Sequence, residues 1–394
     1  MGIARLFAAA VAAVSESCSV LFVSNGHGEI AIAARIAREL PAFVRADHLA
    51  LVGEVGSGEP RLHEVGPRRS LPSGGLIAMA NVRNIARDLA AGLLMHTLAQ
   101  LRFLRGARGT YDVCVAVGDV FALLMAQRAH ARKTVFAGTA KSVFVAPYGA
   151  MEERAITRAD AAFVRDAATA QRLRDRGIAA QAANVIVDLY AAVEAPHATP
   201  FEPAITIFPG SRSGAYEDAV RLCRIVRVLA RTYPRAGAAL SVAPGLDAKR
   251  MAGALAHDGW HVERSLDPPT PFVLYAAGRP VIEAWTGPLQ ELLASSALVL
   301  GQAGTANEAA AAAGIPVVAW EHSARTAWYR KRQMGLLGDA LLIVRGTVEE
   351  AAREVAALLR DAARREAMGT LGRERMGASG GAARIAAEIV RLCG

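Results

Sequence analysis

Residues 301–318 read GQAGTANEAAAAAGIPVV, and the reading of this stretch decides the fold. The apolar run Ala297–Leu300 before it predicts a short strand covered on both faces. The alanine-rich segment after the turn predicts a helix, and Gly314-Ile315-Pro316 leads into another strand. Strand, glycine turn, helix and strand form the repeating unit of a parallel α/β sheet. The turn also has the form of a phosphate-and-ribose site. Glycine lets the backbone approach a ligand, open amides at a helix start favour anionic oxygens, and Glu308 stands one helical turn further in. An ordinary strand–turn–helix connection looks the same in isolation, so the rest of the chain has to decide.

The same grammar recurs on both sides. Ile205–Phe208 ends in Pro209-Gly210-Ser211-Arg212-Ser213-Gly214 ahead of a helix to about Arg231, and amides with a guanidinium there suit a diphosphate. Leu240–Ala243, Pro280–Glu283, Pro316–Trp320 and Leu341–Val344 add strands to this half. In the first half, Ser19–Ser24 runs into Asn25-Gly26-His27-Gly28-Glu29 and the helix Ile30–Leu40. Strands are predicted at His48–Gly53, Tyr111–Val117, Lys133–Ala137, Ala161–Val164 and near Asn184–Val187. The segment up to Gly75 reads as irregular. From Asn81 to Arg105 the pattern is one long helix, with apolar Leu89, Leu93, Leu94 and Leu98 at helical spacing.

The 394 residues suggest two or three domains, and 53% hydrophobic content with a mean hydropathy of +0.25 supplies ample core. The proline-bearing AAVEAPHATPFEP at 191–203 reads as a linker between an N-terminal domain, 1–190, and a C-terminal domain, 204–378; the final helix, 379–394, is a candidate to pack back on the first. A formal charge of +9, carried by dispersed arginines, favours anionic partners. Aromatic content of 6% and the lack of any recognition motif argue against nucleic acid. Cys18, Cys114, Cys223 and Cys393 have neither zinc spacing nor that of a disulfide framework, so the expected compartment is the reducing cytoplasm. The first residues faintly resemble a signal peptide, a reading set aside because a strand follows almost at once. No apolar run reaches the roughly 18 to 20 residues of a membrane span, so contact with an anionic membrane is expected to be peripheral.

Ligands of open α/β sheets bind at the carboxyl ends of strands. His27 and Glu29 follow one strand, Asp119 follows another through Gly118, and Lys141 lies in the turn Gly138-Thr139-Ala140-Lys141-Ser142. His27 and Asp119 are candidates for acid–base work. Each also has a structural reading: His27 as a helix cap, Glu29 as a dipole complement, Asp119 as an N-cap.

SNGHGE at 24–29, LPSGG at 71–75, VGD at 117–119, GTAKS at 138–142, FPGSR at 208–212 and GTANEAAAAAGIPVV at 304–318 come in this order along most of the chain. As a set they resemble the lipid-A-disaccharide synthase family of glycosyltransferases, and more specifically the lipid-A-disaccharide synthase-related proteins. The resemblance implies a GT-B architecture of two Rossmann-like doubly wound α/β domains facing across a cleft. It implies a UDP-sugar held by the C-terminal domain, a lipid-linked acceptor received by the N-terminal one, and neither metal nor cofactor. By motif, Asp119 matches a candidate base, Arg212 a phosphate-binding arginine and Glu308 an acid on the ribose. Gly210, Ser211, Gly304, Thr305 and Asn307 complete the expected donor site, and Asn25, Gly28, Glu29, Ser73, Gly74 and Lys141 the acceptor side. NGHGE departs from the family's usual turn by carrying His27, which leaves His27 and Asp119 both standing as the base. The expected activity is inverting transfer of an N-acetylglucosamine-type or acylated glucosamine unit. The alternatives are a UDP-sugar 2-epimerase of the same architecture and a non-catalytic nucleotide-sugar-binding protein.

Overall fold

The computed structural model describes residues 18–53, 58–69, 88–190, 196–211, 214–322 and 324–394, the side chains of His27 and of residues 324–326 excepted. It divides into two compact units, residues 1–189 with 379–394, and residues 190–378.

The first unit runs β1 (Cys18–Ser24), α1 (His27–Arg38), β2 (Val44–Ala50), β3 (Leu62–Glu64), α2 (Leu93–Gly106), β4 (Val113–Gly118), α3 (Val120–Ala126), β5 (Lys133–Gly138), α4 (Ala150–Ile156), β6 (Ala161–Val164), α5 (Ala167–Arg174), β7 (Ala180–Ala182) and α6 (Val185–Leu189). Its seven strands lie in the order β3-β2-β1-β4-β5-β6-β7, all parallel. Strands covered on both faces need apolar residues at every position, and β4, VCVAVG, is buried throughout. From β1 the chain builds outward to β3, then returns to lay β4 on the other side of β1. The sheet's switch point therefore falls between β1 and β4.

The second unit runs β8 (Ala204–Phe208), α7 (Ala215–Thr232), β9 (Gly237–Ser241), α8 (Ala248–His257), β10 (His261–Arg264), β11 (Phe272–Ala276), β12 (Arg279–Trp285), α9 (Leu289–Ser295), β13 (Leu298–Gly301), α10 (Thr305–Ala312), β14 (Val317–Trp320), α11 (Ala324–Leu337), β15 (Leu341–Val344), α12 (Val348–Arg360) and α13 (Ala362–Met376). The order β10-β11-β12-β9-β8-β13-β14-β15 puts its switch point between β8 and β13. Only β10 and β11 break the parallel pattern, as an antiparallel extension of β12. The core is aliphatic, with Ile205, Ile207, Leu240, Leu298 and Leu300 under α7 and α12.

The last helix, α14 (Gly381–Cys393), belongs to the first unit, where it packs on α1 and α6. It is tied at both ends. Asp188 of α6 accepts the Gly380 and Ala382 amides at 2.5 and 2.7 Å, so a carboxylate sits on the positive end of the helix. At the other end Cys393 forms a disulfide with Cys18 of β1, Cα to Cα 5.8 Å. This corrects the reading of the cysteines as unpaired. Spacing could not reveal it, because the two lie 375 residues apart and meet only when the final helix returns to the first strand.

Three further readings change. Residues 185–189 are helical, and the strand of that region is Ala180–Ala182. The stretch read as irregular up to Gly75 contains β3, short enough to leave no periodicity. The helix predicted over 81–105 begins outside the described residues, and Gly92, at φ +89°, separates its earlier part from α2. The buried side of α2 is His96, Gln100 and Leu104, while Leu94 and Met95 are 62% and 63% exposed. Gln100 donates to the carbonyl of Leu51 at 3.0 Å, so polar side chains share the anchoring of this helix with Leu104 while Leu94 and Met95 face outward.

Candidate functional site

In each unit several candidate residues follow the strands that flank the switch point. In the N-terminal unit the turn after β1 carries Asn25, Gly28 and Glu29, and the turn after β4 carries Asp119. Gly118 lies between them at φ +130°, where a Cβ would come within 3.2 Å of Glu29 Cγ and 3.3 Å of Asn25 Nδ2. Glycine is required there twice over, for its backbone angle and for the crowding. Asp119 is the N-cap of α3, accepting the Ala122 amide at 3.1 Å through one oxygen. The capping role foreseen for it is therefore real and occupies one carboxylate oxygen. Burial pushes the Glu29 carboxyl above its usual range; the neighbouring Asp119 charge adds to this, while its own amide and that of Gly26 pull it back. A buried carboxyl whose proton is held tightly, close to a second carboxylate, is a usual starting point for acid–base chemistry. Glu29, placed on the acceptor side by the sequence reading, lies close enough to Asp119 to feel its charge.

His27 opens α1, and its side chain, like Ser73, Gly74 and Arg212, lies outside what the structure describes. Lys141 is held by Glu152 at 2.6 Å, with its ammonium 5.9 Å from the centre of the Tyr148 ring. Nearby, Thr139 Oγ1, Tyr148 Oη and one oxygen of Asp166 are buried without a hydrogen-bond partner among the described residues. These atoms cluster at the carboxyl ends of β5 and β6, on the Asp119 side of the sheet.

A chain of three polar side chains that the sequence reading missed backs the first turn. Ser24 Oγ lies 2.8 Å from His48 Nε2, and His48 Nδ1 lies 2.8 Å from Glu64 Oε2, which is also paired with Arg68. Burial, with the positive Arg68 adding to it, drops the His48 pKa to about 4. The ring is thus neutral at pH 7 with one N–H, which goes to the Glu64 carboxylate, leaving Nε2 to accept from the Ser24 hydroxyl. Ser24 and His48 have no exposed surface, so the chain fixes the end of β1 and offers no nucleophile to solvent. Its members come from three strands and share no sequence motif.

In the C-terminal unit the ends of β8 and β13 are neighbours, with Gly301 paired to Phe208. Gly210, at φ +112°, has open space where a Cβ would stand, and Ser211 follows it. Gly304 is the N-cap of α10 and has no side chain with which to cap it, so among the described residues the first amides of the helix, beginning with Thr305, receive no hydrogen bond from the capping position. Glu308 stands in the first turn of that helix, partly exposed. Asn307 is fully buried, and its amide donates to the Gly301 carbonyl at 3.1 Å, so it shapes the turn from beneath. Among the described residues no three His, Cys, Asp or Glu side chains are grouped to hold a metal, and no helix is long and apolar enough to cross a membrane.

No protein-family model matches the chain, and no curated protein matches it in sequence. Solved structures do. A Listeria monocytogenes protein described as a UDP-N-acetylglucosamine 2-epimerase superposes with a TM-score of 0.61 at 14% identity, over 95% of this chain and 96% of that one. The glycotransferase of kitacinnamycin gives 0.59 at 17%, over 96% and 100%. The Neisseria meningitidis UDP-GlcNAc 2-epimerase, solved with UDP-GlcNAc bound, gives 0.53 at 12%, over 95% and 99%. The chain therefore has the two-domain, doubly wound α/β fold of the GT-B type, which epimerases and glycosyltransferases share. None of these three is a lipid-A-disaccharide synthase, so that finer resemblance rests on the sequence motifs alone.

Proposed function

We propose that this protein is a UDP-sugar enzyme that transfers the sugar, with inversion, to a hydroxyl of an acceptor bearing an apolar part. The observation that carries the reading is the placement of two carboxylates, a buried Glu29 and Asp119, at one switch point and of a glycine-capped helix start with an acid in its first turn at the other. The C-terminal unit would hold UDP: the α10 amides and Arg212 on the diphosphate, Glu308 on the ribose. In the N-terminal unit Asp119, Glu29 or His27 would take the acceptor's proton as its oxygen attacks the anomeric carbon. The bond from that carbon to the diphosphate oxygen breaks, and UDP leaves with the electron pair. No step calls for a metal or cofactor.

An apolar acceptor is supported by the surface next to Asp119. Phe121 and Leu124 on α3 are 48% and 42% exposed, Leu94 and Met95 stand out from neighbouring α2, and Met151 from neighbouring α4. An N-acetylglucosamine-type or acylated glucosamine donor and a lipid-linked acceptor at the cytoplasmic face of a membrane are the finer form of the proposal. The structural likeness to epimerases favours a second reading, in which the same carboxylates act on the donor alone.

Incubation with UDP-N-acetylglucosamine, with and without a lipid monosaccharide acceptor, tests them. UDP release that requires acceptor supports transfer. An isomer formed without acceptor supports epimerisation and overturns transfer. Binding of UDP with no donor consumed under either condition leaves the non-catalytic alternative.

A further inference from the structure

Arg330 of α11 is 2% exposed, yet among the described residues no carboxylate pairs with it. Its terminal nitrogen Nη1 donates to Gln333 Oε1, and its Nε is buried without a hydrogen-bond partner among the described residues. The acids whose charge it feels are committed elsewhere: Asp218 pairs with Arg221 and Glu321 with Arg345. A guanidinium taken out of water costs the folded protein heavily unless an anion meets it. Helix stability does not explain the cost, since an apolar side chain would occupy the position without it.

Its position indicates which anion. Gln333, the partner of Arg330, donates to the Ala303 carbonyl at 2.7 Å, and the hydroxyl of Tyr329 stands 2.8 Å from where a Cβ on Gly304 would lie. Arg330 Cζ is 5.3 Å from the centre of the Tyr329 ring. Side chains of consecutive turns of α11 are thus laid against the Ala303-Gly304 turn, where α10 begins at a glycine cap. The Asp218 that Arg330 feels is in the first turn of α7, which follows the β8 turn. The guanidinium therefore lies at the carboxyl ends of β8 and β13, at the switch point.

We infer that Arg330 is a binding residue for the diphosphate group of a nucleotide ligand, its unpartnered N–H meeting phosphate oxygen beside the α10 amides. This deepens the UDP-sugar reading and rests on it for the nucleoside, though not for the diphosphate. Arg330 was not singled out in the sequence because it sits in a helix, outside every glycine turn.

The test is calorimetric titration of UDP, uridine and inorganic pyrophosphate into the wild-type chain, Arg330→Met and Arg330→Lys, with the unfolding midpoint of each free protein. The expected result is UDP affinity lowered about 10- to 100-fold in Arg330→Met and partly restored in Arg330→Lys, with uridine binding within about 2-fold. The free Arg330→Met protein should melt no lower than wild type, because an unpaired buried charge is removed; a merely structural arginine would lower the midpoint. Equal UDP affinity in wild type and Arg330→Met overturns the inference. If wild type binds neither UDP nor uridine, the UDP reading fails by itself. Pyrophosphate then decides for Arg330: binding lost in Arg330→Met upholds a diphosphate site, and no pyrophosphate binding to wild type overturns it.

Discussion

Ser24 Oγ and His48 Nε2 are 2.8 Å apart with no solvent reaching either, so the first turn of the N-terminal unit stands on a neutral histidine. The folded-state pKa of His48, about 4, lies below the unfolded value of 6.5. The unfolded chain therefore takes up a proton first as pH falls. The sign follows: stability is full above the unfolded value and is lost as pH drops toward the folded one, by about 3 kcal/mol over that window. Urea unfolding at several pH values should show this loss in wild type and a flatter profile in His48→Gln, with lower stability at neutral pH.

Glu29 has the opposite sign. Its raised pKa means that the folded chain holds this proton more tightly than the unfolded chain, which favours folding at acid pH and is lost as pH rises through the raised value. Glu29→Gln should therefore gain stability relative to wild type as pH rises above the ordinary glutamate value of 4.5. If Glu29 takes part in proton transfer, the same variant should lose about 100-fold or more in kcat. Asp119→Asn, which keeps an oxygen for the Ala122 amide, separates chemistry from capping: lost turnover with an unchanged melting point identifies a chemical role.

Glu308→Ala should raise KM for the UDP-sugar about 10-fold and leave kcat at saturating donor within about 3-fold, because a ribose contact is made equally in the ground and transition states. Steady-state kinetics with donor varied at fixed acceptor reads both. A fall in kcat with KM unchanged would place Glu308 in the chemistry.

The disulfide between Cys18 and Cys393 closes nearly the whole chain. Cys393→Ser should lower stability by about 2 to 4 kcal/mol, and dithiothreitol should do the same to wild type but not to the variant. Because Asp188 still caps α14, the expected result is a loosened C-terminal helix, read as faster amide exchange over residues 381–393, with the rest of the unit folded.

The exposed Leu94 and Met95, with Phe121 and Leu124, should bring the protein to membranes carrying anionic lipid, which the net charge of +9 also favours. Sedimentation with such vesicles at low salt should decline as salt rises, and Leu94→Ser with Met95→Ser should weaken it further. Absence of binding at low salt would remove membrane contact from the proposal.

The parallel strands and their glycine turns were legible in the sequence because they rest on local rules. A strand buried on both faces must be apolar throughout, as in Val113–Gly118, and a turn at positive φ needs glycine, as at Gly118 and Gly210. The antiparallel β10 and β11 were not, since short half-buried strands at a sheet edge carry little pattern. What only the tertiary structure decided are relationships between distant residues: the Ser24, His48 and Glu64 chain, the carboxyl of Glu29 beside Asp119, Asn307 turned inward, Cys18 joined to Cys393, and Arg330 buried with its Nε unpartnered among the described residues. A side chain's burial and charge state depend on what the folded chain brings against it. The chain itself specifies where strands end, and the packing specifies which of the groups at those ends meet.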